Sequence, residues 1–239
     1  MENSKDVQNI SLKANILNII DHQYQIGEKL LPELELGRQL NVSRAILRSV
    51  LDELQHEGYI RRIQGSGTII MNKRKKYTFN LSKLGSAAEL ISGYDVMNTD
   101  FIKIEDFEAG NGYAEKLMVE PDAHLLRVER VRSLDGTPAI YTYNTVVKDR
   151  LVNNKSTNLY AEIANSLSKT MSWNVETCDV SLRPYTADSK LAEMLHTYPG
   201  ASLLLVEETA RQKDGLPLDY SLDYYIADLF DFQIKRTLD

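Results

Sequence analysis

The stretch Val42-Ser43-Arg44-Ala45-Ile46-Leu47-Arg48 opens an apolar stripe in which Leu47, Val50, Leu51 and Leu54 recur at i, i+3, i+4 and i+7. That period predicts a helix with one buried face. Ser43 is placed to cap its start through a hydroxyl that accepts a free backbone N–H, and Gly58 is placed to end it in a left-handed conformation. Working backwards, Asn41 fits a tight turn. A short helix is expected over 33–40 with Leu36 and Leu40 inward. Gly27 and Pro32 bracket a loop, and Leu12, Ile16, Ile19 and Ile20 mark a first helix over 11–22. Working forwards, strands are expected over 60–63 and 68–71, joined by Gly65-Ser66-Gly67. The order is helix, helix, turn, helix, hairpin: a winged helix-turn-helix.

Arg44 and Arg48 lie one helical turn apart beside the stripe, with Ser43 and Ala45 at the same helix start. In a helix-turn-helix the first turns of the second helix enter the major groove, where arginine reads guanine through paired hydrogen bonds. Two arginines alone would be read as solvated surface residues. A small-residue hairpin at the right distance favours DNA instead. Its tip, Gln64, Gly65, Ser66 and Gly67, lets backbone approach phosphate, and Arg61 and Arg62 add charge. A wing serving only as structure is the alternative.

Glu33, Glu35, Leu36, Val42, Ser43, Arg44, Arg48, Leu54, Gly58, Ile60, Gly65, Gly67 and Thr68 together resemble the winged helix of the GntR family of bacterial transcription regulators. The resemblance implies base and phosphate contacts by Arg44, Arg48 and the wing around Gln64 and Gly65. Three positions depart from the pattern. Leu34 replaces a frequent arginine, Pro32 stands where serine is usual, and Ile46 replaces a threonine. These departures bear on one guanine contact and one hydroxyl contact.

The whole chain of 239 residues has a net charge of −6, unpromising for a DNA binder until it is divided. Residues 1–76 hold 12 Lys and Arg against 9 Asp and Glu, a charge of +3, which leaves −9 for the remainder. Such asymmetry between halves points to nucleic acid. Apolar content of 43% and charged content of 26% are those of a soluble globular protein. No apolar run is long enough to span a membrane, and residues 1–9 are too polar for a signal peptide, so a cytoplasmic protein without membrane association is expected. A lone Cys178 excludes an internal disulfide framework. The four histidines, His22, His56, His124 and His196, show no metal spacing, and no cofactor is expected.

Beyond the basic run Asn72-Lys73-Arg74-Lys75-Lys76 the chain repeats itself. Ala114-Glu115-Lys116-Leu117, Pro121, Ala123, Leu125-Leu126 and Val128-Glu129 match Ala192-Glu193-Met194-Leu195, Pro199, Ala201, Leu203-Leu204 and Val206-Glu207 at a constant offset of 78. Each copy continues into a turn, Asp135-Gly136-Thr137-Pro138 or Asp214-Gly215-Leu216-Pro217, between two strands. Two such units can share one antiparallel sheet with helices over it, so the fold class is α+β. No phosphate-binding glycine loop, nucleophile triad or metal cluster is present in the pattern.

Leu117, Pro121, Val128-Glu129-Arg130-Val131-Arg132, the two turns, Leu159-Tyr160 and Leu218-Asp219-Tyr220 make this part similar to the UTRA effector-binding domain of the HutC branch of the GntR family, with its chorismate-lyase-like fold. The expected domains are a winged helix over 1–72, a basic linker over 73–80 and a UTRA domain over 81–239 that also dimerises. Arg130 and Arg132, two apart on a strand, share a face with Val128 and Leu126 and suit a carboxylate or phosphate. Ser86 begins a capping-box pattern, Ser86-Ala87-Ala88-Glu89. The bland reading is that Ser86 only caps and the arginines only pair with acids. The resemblance implies that the arginines and the Ser86 turn hold phosphate and that Asp219 and Tyr225 bind the polar remainder. It also puts Thr142 where amino-sugar binders carry glutamate, with Arg183 as a further candidate. Tyr141, Tyr143, Tyr220, Tyr224 and Tyr225 could stack on a sugar ring or serve as strand aromatics.

These observations point to a homodimeric repressor released from a palindromic operator on double-stranded DNA by a small anionic effector such as a phosphorylated sugar. A lyase-like enzyme on the same C-terminal fold with an appended DNA-binding domain is the first rival, and it lacks a positioned acid or base. A protein-binding winged helix is the second, and it has no need of Arg44 and Arg48 beside a Gly-Ser-Gly wing.

Overall fold

The structure, a computed structural model, describes residues 2–150 and 175–236. The Leu159-Tyr160 pair lies outside these residues. The chain divides into two compact units, residues 1–75 with 186–201, and residues 76–185 with 202–239.

In the first unit, α1 (Glu2–Gln23), α2 (Glu33–Gln39) and α3 (Arg44–His56) precede a hairpin of β1 (Ile60–Ile63) and β2 (Gly67–Ile70). Helix α1 begins nine residues before the expected start, because the apolar stripe marks only its buried stretch from Leu12 to Ile20. Ile16, Ile20, Leu36, Leu47, Leu51, Leu54, Ile60 and Ile70 close one core. Asn41 turns the chain between α2 and α3 with φ +53°, a conformation asparagine tolerates. Ser43 Oγ accepts from Ile46 N at 3.4 Å. The end of α3 is a Schellman closure: Gly58 has φ +80°, its N–H donates to Gln55 O, and Tyr59 N–H reaches back to Leu54 O. The loop between Gly27 and Pro32 adds a short third strand to the hairpin, through Gly27 N to Ile70 O, Ile70 N to Glu28 O and Leu30 N to Thr68 O.

The basic run after the wing is partly fixed. Lys73 Nζ donates to Asp21 O at 2.9 Å, and Arg74 pairs with the Asp21 carboxylate; both side chains of that pair are nearly buried. The expected linker over 73–80 ends in a strand, β3 (Tyr77–Asn80), which pairs parallel with a distant C-terminal strand, β11 (Phe230–Gln233). A short helix α4 (Ala87–Leu90) and β4 (Ile91–Ser92) follow, and β4 completes that three-stranded sheet.

The main sheet has six strands: β5 (Met97–Glu108), β6 (His124–Leu134), β7 (Thr137–Val147), β8 (Val175–Thr186), β9 (Ser202–Gln212) and β10 (Pro217–Ile226). Their order is β5-β6-β7-β10-β9-β8, which is the internal repeat drawn as a sheet: two three-stranded halves joined along β7 and β10. Helix α5 (Gly110–Leu117) links β5 to β6, and α6 (Ser189–Met194) links β8 to β9. The offset of 78 extends to the backbone. Met118 and His196 take φ +51° and +48°. Ala109 N–H bonds Ala123 O as Ala187 N–H bonds Ala201 O, both at 2.9 Å. The two hairpins differ. Asp135 and Gly136 both have positive φ, the tight two-residue turn that matches strand twist, whereas the second turn has positive φ at Gly215; each hairpin carries a register shift, between Arg132 and Ser133 in the first and between Pro217 and Asp219 in the second.

Candidate functional site

In the first unit, the start of α3 stands out from the surface. Arg44 and Arg48 side chains are 70% and 52% exposed, and Ser43 and Ala45 beside them are exposed too. One carboxylate organises them. Glu33, in the first turn of α2, sits 2.8 Å from Arg48 Nε, 3.9 Å from Arg44 Nε and 3.5 Å from Arg62 Nη1. Exposed ion pairs of this kind hold geometry more than they add stability. Glu33 was legible only as part of a pattern, because its partners lie 11 to 29 residues away, two on α3 and one on β1.

At the wing, Gly65 and Gly67 have φ +76° and +96°, Ser66 N–H closes on Ile63 O at 3.0 Å, and Gln64 through Gly67 are exposed. Arg61 is exposed on β1. Arg62 is not free in the same way. Its guanidinium bonds Asp52 and faces Glu33, and its N–H donates to Gln55 Oε1 at 2.8 Å, which ties β1 to α3. The surface therefore offers Arg44, Arg48 and Arg61 as exposed cations beside a narrow glycine tip, a shape that fits helix-in-groove docking with backbone contact alongside.

In the second unit, strand alternation places polar side chains on one face of the main sheet. Arg130 and Arg132 come from β6, Asn144 and Thr142 from β7, and Asp219, Ser221, Asp223 and Tyr225 from β10; Glu208 joins from β9 opposite Ser221. Ser86, Phe79 and Leu90 close a cavity over this floor. Arg130 Nη2 donates to Asn144 Oδ1 at 2.6 Å, and Asn144 Nδ2 donates to Asp219 Oδ2 at 2.7 Å. Arg132 Nη1 donates to Thr142 Oγ1 at 2.7 Å and lies 3.6 Å from Asp223 Oδ1, whose carboxylate also accepts from Thr142 and Ser221. Two buried atoms at this floor, Arg130 Nε and Asp219 Oδ1, have no hydrogen-bond partner. Buried polar atoms are satisfied in the great majority of cases, and an orphaned pair in one cavity marks a place that something else completes.

Burial sets the electrostatics. The Arg130 guanidinium is lowered to about 9 by burial and by Arg132 beside it. Burial raises Asp219 to about 7, against the Asn144 hydrogen bond and Arg130, which pull it down. Burial, with Asp223 and Asp219 nearby, raises Glu208 to about 8. The cavity holds three carboxylates and two guanidiniums that strain against one another.

The sequence-derived site residues divide as follows. Arg130, Arg132, Asp219, Tyr225 and Ser86 line the cavity together, and Thr142 is fully buried beneath Arg132. Ser86 N and Oγ both donate to Glu89 Oε2, at 2.7 and 2.8 Å, so the turn's own carboxylate occupies it. Arg183 is elsewhere. It lies on β8, two strands from β10, and pairs with Glu207, whose side chain points to the sheet face opposite to that of Glu208. Of the five tyrosines only Tyr225 reaches the cavity, packed edge-on against Phe79 and Phe232. Tyr141, Tyr143, Tyr220 and Tyr224 lie on the other face, where Tyr141 donates to buried Glu129. Asn144, Ser221, Asp223 and Glu208 were missed. The polar alternation Asp219, Ser221, Asp223 on β10 was a readable signal, but Glu208 becomes visible only through strand register.

The sequence profile of the UTRA domain matches residues 93–231, and that of bacterial regulatory proteins of the gntR family matches residues 13–70. The HTH-type transcriptional regulator YydK of Bacillus subtilis (strain 168) is 26% identical, covering 92% of each chain. The HTH-type transcriptional repressor NagR of the same organism is 21% identical over 92% of this chain and 89% of its own. In fold, the chain superposes on the crystal structure of PhnF from Mycobacterium smegmatis with a TM-score of 0.57 at 21% identity, covering 95% of this chain and 99% of the other.

Proposed function

We infer, because the chain belongs to the gntR family of bacterial regulatory proteins and carries a UTRA domain, that it is a DNA-binding transcription regulator controlled by a small anionic effector. Arg44 and Arg48 read an operator from the major groove, and the Gly65–Gly67 wing follows the backbone alongside. The protein acts as a homodimer on a two-fold symmetric site. The effector is a phosphorylated sugar or a similar small anion held by Arg130 and Arg132. Its binding favours dimer arrangements in which the recognition helices no longer fit the half-site spacing, so repression is relieved. Asp219 and Tyr225 select among effectors rather than supply the anion site.

One observation carries the effector half of this reading: Arg130 Nε is buried, cationic and without a partner, above a cavity rather than inside a closed core. A guanidinium in that position gains most from an oxyanion, since charge-assisted hydrogen bonds are the strong ones. The test is release of the protein from a bound DNA duplex by a panel of sugar phosphates, free sugars and neutral metabolites. A sugar phosphate should release the parent, and Arg132→Ala should show no difference with and without it. Release by uncharged ligands alone, unaltered in Arg132→Ala, would return the arginines to structural ion pairing.

A further inference from the structure

The effector cavity is more acidic than an anion site needs to be. Its floor sets two guanidiniums, Arg130 and Arg132, against three carboxylates, Asp219, Asp223 and Glu208. Asp223 is fully engaged, with both oxygens accepting hydrogen bonds and Arg132 beside it. Asp219 is not: Oδ2 accepts from Asn144, while Oδ1 is buried and unpartnered. Glu208 faces the same space from β9. The anion-seeking atom, Arg130 Nε, and the donor-seeking atom, Asp219 Oδ1, are therefore orphans of opposite polarity in one cavity. A ligand that is only an anion would satisfy the first and leave the second without a donor.

We propose that the effector is an ammonium-bearing anion, its oxyanion on Arg130 and Arg132 and its ammonium between Asp219 and Glu208. This rests on the reading of the cavity as the effector site and narrows that reading to a zwitterionic class. An ammonium supplies three donors and a full charge to two carboxylates that burial leaves poorly compensated. A metal ion is a weaker occupant, since among the described residues no three carboxylate, imidazole or thiol groups are arranged to hold one. A sugar hydroxyl would satisfy Asp219 Oδ1 but bring no cation to the two carboxyls. The raised carboxyls of Asp219 and Glu208, set chiefly by burial, agree in direction: a cation seated between them is what would favour their ionised forms. The surrounding groups that bear on them are Arg130 and Arg132 from β6, Asn144 from β7, Cys178 from β8, and Ser221, Asp223 and Tyr225 from β10.

Two matched probe pairs differ only by ammonium against hydroxyl: glucosamine 6-phosphate against glucose 6-phosphate, and phosphoethanolamine against 2-hydroxyethyl phosphate. Calorimetric titration of the full chain at pH 7.5 should show the ammonium member of the tighter-binding pair favoured about tenfold, the scale of one charge-assisted hydrogen bond. In Glu208→Gln that ratio should fall towards unity while binding of the hydroxyl member holds or improves. Equal affinity within both pairs, with dependence on Arg132 retained, would overturn the zwitterion assignment and leave the anion-effector reading standing. Preference for the hydroxyl member would do the same. Absence of binding by every probe, in parent and Arg132→Ala alike, would count against both.

Discussion

Replacing Asp219 by asparagine should stabilise the free protein at pH 8 and not at pH 5. Asp219 is 8% exposed, has one unpartnered oxygen, and is raised from 3.8 to about 7 chiefly by burial. A carboxyl whose folded pKa exceeds its unfolded one binds more protons folded than unfolded. Its contribution therefore favours folding most below the unfolded value and is withdrawn as pH rises through about 7. Integrated from pH 5 to pH 8, a shift of that size withdraws about 2–3 kcal/mol. Asparagine keeps an acceptor for Asn144 and does not ionise, so it avoids that loss; its extra N–H costs about 1 kcal/mol at every pH if unpaired. The pH-dependent part is the clean quantity. Thermal melts of parent and Asp219→Asn at both pH values should show the variant gaining roughly 5–10 °C relative to the parent between pH 5 and pH 8. Glu208, which Asp219 helps to raise, ionises more easily in the variant and moves the difference in the same direction; groups out of reach of the substitution titrate in both proteins and cancel. A difference between the two proteins that is the same at both pH values would refute the reasoning, because the carboxylate would then not be ionising in a hostile site.

Three further outcomes follow from the first unit. Arg48→Ala should weaken sequence-specific DNA binding by about 1–3 kcal/mol if the side chain reads a base, measured as a loss confined to the preferred sequence, whereas a uniform loss across sequences would make it a phosphate contact. Gly67→Ala meets open space but imposes a side chain on φ +96°, so it should cost about 1–3 kcal/mol of local strain at the wing, seen as faster amide exchange in β1 and β2. Leu36→Ala removes a fully buried side chain from the helical core and should cost about 2–5 kcal/mol in urea unfolding of residues 1–75 followed by a local probe.

Much of this architecture was legible in the sequence because its signals are local or periodic. The α3 stripe, the Ser43 cap and the Gly58 closure each lie within a few residues of their consequence. The offset of 78 gave the two-half sheet because both copies repeat the same helix, loop and strand. Arg130 with Arg132, and Asp219 with Tyr225, follow from period-two alternation along single strands. What the sequence hid depends on pairing across long separations. Glu208 reaches the cavity because β9 registers it against Ser221, and Arg183 misses it because it pairs with Glu207 on the opposite face of the sheet. Strand β3 inside the expected linker exists because β11, some 150 residues later, pairs with it. Glu33 gathers its three arginines only once α3 and β1 are packed beside α2.

The most direct test of the central claim is selection of bound sequences from a pool of random DNA duplexes by the full chain, run in parallel with Arg44→Ala/Arg48→Ala. The parent should enrich a two-fold symmetric sequence with one half-site per recognition helix, and the double variant should lose the enrichment while keeping its fold by circular dichroism. Enrichment of no sequence by the parent, or the same enrichment by both proteins, would contradict the claim.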